Sequence, residues 1–344
     1  MGRYSKQYSS IYPVIIVMLV IVMLVSMRYG AVDLSLDEMY SGMQHMFVPA
    51  DQTPLAERIF MEIRLPRAIL CAIVGAGLAV GGALMQALFR NPIVEPGLVG
   101  TSSGAAFGAS LYFVIGAAFK YNGGEWTLPL AACAGGIIST ALVFVLSQSK
   151  HDGKSSIVGL LLTGIAINAL FLSGVGFLAY TARDSQARSI TFWTLGTLSG
   201  ANWHSVLIVG ISTLLCIAVA LRYTKHLNAL MIGEEEAQYM GINIRKLKLR
   251  ILLVNVVMVA ISTSFTGVIG FVGLIVPHFL RMLKGSDNRF LIIGSALMGA
   301  LVLSVADIAA RMLLRPAELP LGVVTSIIGV PVFIILLRKK NYYF

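Results

Sequence analysis

The sequence predicts an all-α protein that crosses a membrane about ten times. Of its 344 residues, 57% are hydrophobic and only 12% are Asp, Glu, Lys or Arg, whereas a soluble domain carries about a quarter charged residues. Mean hydropathy is +0.83. The charges are also clustered. They bound long charge-free stretches, and about 20 apolar residues suffice to span a bilayer core as a helix. No stretch is polar enough for a separate soluble domain, so residues 1–344 read as one transmembrane domain.

The elements follow in order. Tyr8–Met27 comes after Arg3 and Lys6. That charge pattern fits a signal peptide, but Arg28-Tyr29-Gly30 is a poor small-residue cleavage site, so a first transmembrane helix is expected. Ala68–Phe89 carries Gly75, Gly77, Gly81 and Gly82, small residues that let membrane helices approach closely. Pro96–Phe119, Trp126–Ser149, Ser155–Ala182 and Ser189–Leu221 follow, then Ile251–Leu280, Phe290–Ala306 and Leu319–Leu337.

Charge decides how many times Ile251–Leu280 crosses. Taken as one span it divides Lys and Arg evenly between the two sides. Taken as two it places 17 of the 26 inside and 9 outside, as the positive-inside rule prefers. The two helices then extend over roughly Ile244–Lys284, with their turn near Gly267–Gly273, giving ten spans and both termini cytoplasmic. The net charge of +10 is accounted for by these cytoplasmic loops, and nucleic-acid binding is not expected. Gly75–Arg90 and Gly267–Arg281 echo one another faintly, in a Gly-rich run ending in Leu/Phe-Arg, as internal repeats of transporters do.

The most polar internal segment, Arg222–Arg250, is patterned. Leu227, Leu230 and Met231 form a short apolar face, and Gly233 can end that helix. Glu234, Glu235 and Glu236 then suit the positive end of a second helix dipole. Ala237 and Met240 supply its apolar side, and Gly241 stops it. Two short helices joined at a glycine predict a compact cytoplasmic knob over about residues 226–243.

Chemistry-bearing constellations are few. Gly153-Lys154-Ser155 mimics the end of a phosphate-binding loop, but position 148 is Gln where that motif needs Gly. Gly75-Ala76-Gly77 mimics a dinucleotide fingerprint without a preceding strand. Cys71, Cys133 and Cys216 have no CxxC spacing and read as packing residues. No metal site is expected. His278 is expected to be a hydrogen-bonding structural histidine near the cytoplasmic end of span eight, while His45 and His204 lie near the outer face.

Arg64-Leu65-Pro66-Arg67, the glycine-rich span after it and Arg90-Asn91-Pro92-Ile93-Val94-Glu95-Pro96-Gly97 together resemble the signature of the FecCD-type permeases. These are membrane subunits of ATP-driven importers for haem, iron–siderophore complexes and vitamin B12. The resemblance runs from about Arg64 to Lys340 and implies the BtuC-like permease fold in a bacterial cytoplasmic membrane. It implies a homodimer with two separate ATPase subunits, which hold the ATP and Mg, and a substrate-binding protein on the outer face. The chain itself would be no enzyme and bind no cofactor.

The resemblance also assigns residues. Segment 229–242 is similar to the family's ATPase-coupling segment, which points to Leu230, Gly233, Glu234, Glu235, Glu236, Ala237, Met240 and Gly241. Arg64 and Arg67, with Arg311 of Ala306-Asp307-Ile308-Ala309-Ala310-Arg311, match arginines that pair with carboxylates of the binding protein, a task for which the planar guanidinium fork is suited. They are expected to form a cationic rim, with Asp307 near enough for an i,i+4 pair with Arg311. The family's path runs between the two copies, along span five, the short helix after it and span ten. Here that implicates Thr163, Asn168, Ser173, Phe192, Thr325 and Ser326, with Asn168 facing a cavity or another helix.

Three readings compete. The first is an importer permease for an iron chelate, haem or a ferric siderophore, with vitamin B12 as the alternative cargo. The second is an ion-coupled secondary transporter, which usually needs ionisable groups deep in its spans. The third is an intramembrane enzyme, which needs a catalytic constellation at one depth, and the histidines are scattered.

Overall fold

The computed structural model describes residues 11–30, 32–45, 54–116, 124–148 and 157–338. Gly153-Lys154-Ser155 lies outside the described residues. The fold is built from α1 (Ile11–Arg28), α2 (Leu36–His45), α3 (Leu55–Phe89, with a π turn at Phe60–Arg64), α4 (Thr101–Leu111), α5 (Thr127–Leu146), α6 (Ile157–Thr181) and α7 (Asp184–Thr194). It continues through α8 (Trp203–Arg222), α9 (Thr224–Ile232), α10 (Glu234–Tyr239), α11 (Ile244–Thr266), α12 (Val272–Lys284), α13 (Asn288–Met312) and α14 (Leu321–Arg338). Seven of these (α1, α3, α5, α6, α8, α11 and α13) are long and apolar enough to cross a membrane. The shorter α4, α12 and α14 complete the ten expected segments.

Helix α3 is the axis of the fold. In its most apolar window 78% of residues are buried, against 22% for α6. The glycines explain this. A Cβ on Gly75 would strike the Gly299 carbonyl of α13, and one on Gly82 would strike Gly273 of α12. Backbones can approach this closely only where neither helix carries a side chain. With 35 residues, α3 is about 52 Å long at 1.5 Å per residue and outreaches a hydrocarbon core of about 30 Å. Its first turns therefore project beyond the outer boundary, where α2 packs on them through Gly42 against Phe60 and Ser41 Oγ donating to Glu57 (2.6 Å).

Local chemistry sets the helix ends. Arg90 closes α3 with a left-handed φ of 50°, and Pro92 forbids continuation. Asn202, Asn243 and Asp287 cap α8, α11 and α13 by accepting from Ser205 N, Lys246 N and Arg289 N. The turn between α11 and α12 falls at Gly267–Phe271, and the pair together covers Ile244–Lys284, as charge counting expects. The echo between Gly75–Arg90 and Gly267–Arg281 does not extend to backbone: the first is continuous helix, the second opens with that irregular turn.

The charge-free stretch Pro96–Phe119 does not begin as a helix. Its first residues form a 3-10 turn, Pro96–Val99; α4 begins at Thr101 and runs on through a π turn at Tyr112–Gly116, and residues 117–119 lie outside the described ones. Thr101 bonds Thr140, two turns before the end of α5. The chain thus enters the interior as irregular backbone, tolerated at membrane depth where protein buries it.

Candidate functional site

The cytoplasmic knob forms as the pattern predicts. Helix α9 ends at Gly233, α10 spans six residues from Glu234, and Gly241 leaves it with φ of +82°. Leu227, Leu230 and Ala237 are fully buried and join one apolar core with the cytoplasmic end of α3 and with α11. The knob is therefore no loose loop. Three polar ties fix it further. Asn228 Oδ1 accepts from both the backbone and side-chain nitrogens of Asn288 at the start of α13 (2.8 and 2.7 Å), and its Nδ2 donates to Asp287 (3.1 Å). Lys248 Nζ of α11 donates to Glu234 (3.0 Å), and Arg250 donates to the Tyr223 hydroxyl (3.2 Å).

The outward side of the knob carries apolar residues: Ile232 is 62% exposed, Tyr239 89% and Met240 60%. The sequence pattern puts Met240 with Ala237 on one apolar side, and the structure separates them. With six residues, α10 has room for one inward position, taken by Ala237, and Met240 falls at the C-cap beyond the last turn. Glu235 and Glu236 are exposed, whereas Glu234 is half-buried beside Lys248.

At the outer end the three arginines come together, but inside the protein. Arg64, Arg67 and Arg311 are each buried. Asp307, 1% exposed, is the shared anion. Its Oδ1 accepts from Arg67 Nη2 (2.9 Å) and its Oδ2 from Arg311 Nε (3.0 Å). Arg67 also donates to Glu318 (3.0 Å), which reaches the surface. Arg64 and Arg311 both donate to the Tyr29 carbonyl (2.8 Å each), Arg64 to Val32 O and Arg311 to Ser26 Oγ. Gly30 is required here, since a Cβ would occupy the place of the Arg64 guanidinium. The π turn at Phe60–Arg64 re-aims Arg64 towards this cluster, as such bulges do at functional positions. The expected open cationic rim is thus replaced by a buried network tying α1, α3 and α13 together. Buried charge survives only when paired and hydrogen-bonded, and Asp307 with the loop carbonyls supplies the partners.

The six candidate path residues divide. Ser173 and Phe192 are exposed and Thr163 and Ser326 half-buried. Thr325 is buried, donating to Gly322 O. Asn168 does face another element, and its amide is fully engaged: Nδ2 donates to Leu98 O (3.0 Å) and Oδ1 accepts from Ser103 (2.5 Å). It clamps α6 to the start of α4 and does not point into open space. His278 is buried with neither ring nitrogen hydrogen-bonded among the described residues, so the expected hydrogen bond is absent. His45 Nδ1 meets Glu57 (2.5 Å). His204 stacks edge-on with Trp126. No group of three His, Cys, Asp or Glu that could hold a metal occurs among the described residues, and Cys71, Cys133 and Cys216 are free thiols.

Two features were missed from sequence. The Asn228–Asn288 tie joins residues 60 apart, and no local spacing signals it. Glu95 accepts from the backbone N of Phe271 (2.9 Å) across 176 positions. Its signal was available: a lone carboxylate between Pro92 and Pro96, flanked by apolar residues, needs a buried donor.

Comparison with known proteins places this architecture. Residues 18–339 match the model of the FecCD transport family. The haemin transport system permease protein HmuU of Yersinia pestis is 38% identical over 95% of both chains. The vitamin B12 import system permease protein BtuC of Escherichia coli O1:K1 / APEC is 38% identical over 84% of this chain and 86% of its own. A solved metal-chelate-type ABC transporter in an inward-facing conformation superposes with a TM-score of 0.82 at 32% identity, covering 94% of this chain and 97% of its own. The chain belongs to the FecCD transport family, as a multi-pass membrane permease of an ABC importer.

Proposed function

We propose that two copies of this chain form the path of an ATP-driven importer that takes an iron chelate, haem first among the candidates, from a substrate-binding protein on the outer face. Two separate ATPase subunits, holding ATP and Mg, drive it from the cytoplasm. The observation that carries this reading is the knob, whose exposed Ile232, Tyr239 and Met240 stand on a buried base. Aromatic and Met side chains are enriched at protein interfaces, and the hydrogen bonds of Asn228 give a push on α9 a direct route to α13. Helices of the knob would thus receive the ATPase through Glu235, Glu236, Met240 and Gly241, with Leu230, Gly233, Glu234 and Ala237 forming the packed base beneath them.

Haem is favoured over cobalamin by extent of similarity. At equal identity, the haemin permease aligns over 95% of this chain and the Escherichia coli vitamin B12 permease over 84%. The path would follow α6, α7 and α14, lined by Thr163, Ser173, Phe192 and Ser326. Docking of the binding protein at Arg64, Arg67 and Arg311 would have to exchange internal acceptors for partner carboxylates, and the surface-reaching Glu318 on Arg67 is the one to be displaced first.

Uptake into vesicles tests the whole. The permease, reconstituted with its ATPase and binding protein, is offered haem, a ferric siderophore and cobalamin in turn. ATP-dependent haem uptake is expected. Cobalamin uptake without haem uptake overturns the cargo, and full transport by this polypeptide alone overturns the importer.

A further inference from the structure

The loop Asn91–Gly100 lies where the chain turns inward. Val94, Pro96 and Val99 are buried, while Arg90 and Ile93 remain at the surface. Fully buried Asn255 of α11 donates to Pro96 O (3.2 Å), and the Pro96 ring packs on Gly273 of α12 and Gly81 of α3. From this seat the loop reaches two other helices. On one side Leu98 O and Ser103 Oγ hold both ends of the Asn168 amide, and Gly164 of α6 lies directly over Leu98 O. On the other side the Glu95 carboxylate accepts from Phe271 N at the entrance to α12. Phe271 adopts a left-handed φ of 67° without being glycine, a conformation that persists only where the surroundings impose it. Its side chain lies across Gly329 of α14, where an added Cβ would come within 2.7 Å of the Phe271 Cβ.

We propose that this loop couples the two path helices, with Glu95 as the positioning residue: Asn168 ties α6 to the loop, and Glu95, by holding Phe271 against Gly329, ties α14 to it. The inference rests on the importer reading above for what moves. Neither Glu95 nor Phe271 need touch cargo. Their role is to make α6 and α14 change place together, so that one ATPase stroke opens the path to one side only. Packed elements with discrete arrangements transmit coupling in this way, and a carboxylate aimed at a helix entrance is a stronger tie than a neutral acceptor.

The test uses the complete transporter in vesicles with its ATPase and binding protein, reading ATP hydrolysed and cargo taken up in the same sample. Glu95→Ala is expected to keep ATPase retention and hydrolysis while uptake falls, raising the ATP spent per cargo about tenfold. Glu95→Gln, which keeps an oxygen acceptor for Phe271 N, is expected to return within about threefold of wild type. Gly329→Ala, which forces Phe271 aside from the opposite partner, is expected to reproduce the Glu95→Ala ratio. The proposal is overturned if Glu95→Ala leaves the ratio at the wild-type value. That includes the case where hydrolysis and uptake fall together with the amount of folded complex, since Glu95 would then serve folding alone. Failure of the wild-type complex to couple ATP to uptake would refute the importer reading itself, separately from any variant.

Discussion

The two ends of the molecule use charge in opposite ways. At the outer end three arginines, Asp307 and Glu318 close on one another, and Asp307 retains 1% exposure. At the cytoplasmic end Glu235 and Glu236 stay in solvent, beside the exposed Ile232, Tyr239 and Met240. The outer cluster joins helices that are distant in sequence, Arg67 to Asp307 across 240 positions. The knob is local, and its ties to the bundle run through Asn228, the Lys248–Glu234 and Arg250–Tyr223 pairs, and buried Leu227, Leu230 and Ala237. Charge buried in a network sets architecture. Charge left in solvent leaves the neighbouring apolar surface free for a partner. The same residue types beside a membrane helix therefore carry different consequences, and substitutions should separate them.

The largest effect is expected at Asp307. Asp307→Ala leaves Arg67 and Arg311 without their shared anion inside the protein, and breaking a buried pair costs about 3–5 kcal/mol. Detergent-solubilised protein should show a markedly lower Tm and poor recovery. Arg67→Ala should cost less, because Arg311 still neutralises Asp307 (3.0 Å). An Asp307→Ala variant as stable as wild type would mean that the cluster is a surface feature after all, and the two ends would no longer differ.

Next come the exposed apolar residues of the knob. Tyr239→Asp with Met240→Asp should leave Tm unchanged and cut ATPase retention on affinity capture at least tenfold, as loss of an interface hot spot of about 2 kcal/mol does. Unchanged retention would show that the partner contacts another face. A smaller, more specific change is expected from Asn228→Ala. It deletes the hydrogen bonds to Asp287 and Asn288, each worth about 1 kcal/mol. The ATPase should still bind, while uptake per ATP falls several-fold. Equal loss of binding and uptake would make Asn228 a folding residue of the knob.

What sequence could and could not reveal follows the same division. The knob was legible because glycine punctuation and a carboxylate triplet are local signals, and Gly233 and Gly241 do end α9 and α10. The turn at Gly267–Phe271 was legible from charge balance alone. Burial of Arg64, Arg67 and Arg311 was not, since two arginines beside an apolar segment look the same whether they meet solvent or an aspartate 240 residues away. The inward path of Asn91–Gly100 escaped for a related reason. Counting charge-free residues measures length, and Pro96–Phe119 is long enough for a span although its helix starts only at Thr101. Asn168 was read correctly as needing a partner, but its partners, Leu98 and Ser103, lie 70 and 65 positions away.

The smallest effect lies within the glutamate triplet itself and tests the comparison most finely. Glu234, Glu235 and Glu236 are equivalent in sequence and unequal in space. Glu234 is 33% exposed and accepts from Lys248, whose side chain is 6% exposed, so Glu234→Gln weakens an interaction shielded from water. Glu235 and Glu236 have no such neighbour among their hydrogen bonds and stand in solvent. Exposed charges contribute about 0–1 kcal/mol and are screened by salt, so Glu235→Gln should leave Tm within error and shift ATPase association only modestly, and only at low ionic strength. Glu234→Gln should lower Tm with less dependence on salt, because the Lys248 end of the pair is buried. Measuring Tm and ATPase association for the two variants at low and high salt separates the cases. If Glu235→Gln destabilises the protein as much as Glu234→Gln does, the knob is packed throughout, and the contrast between a closed outer end and an open inner one fails there.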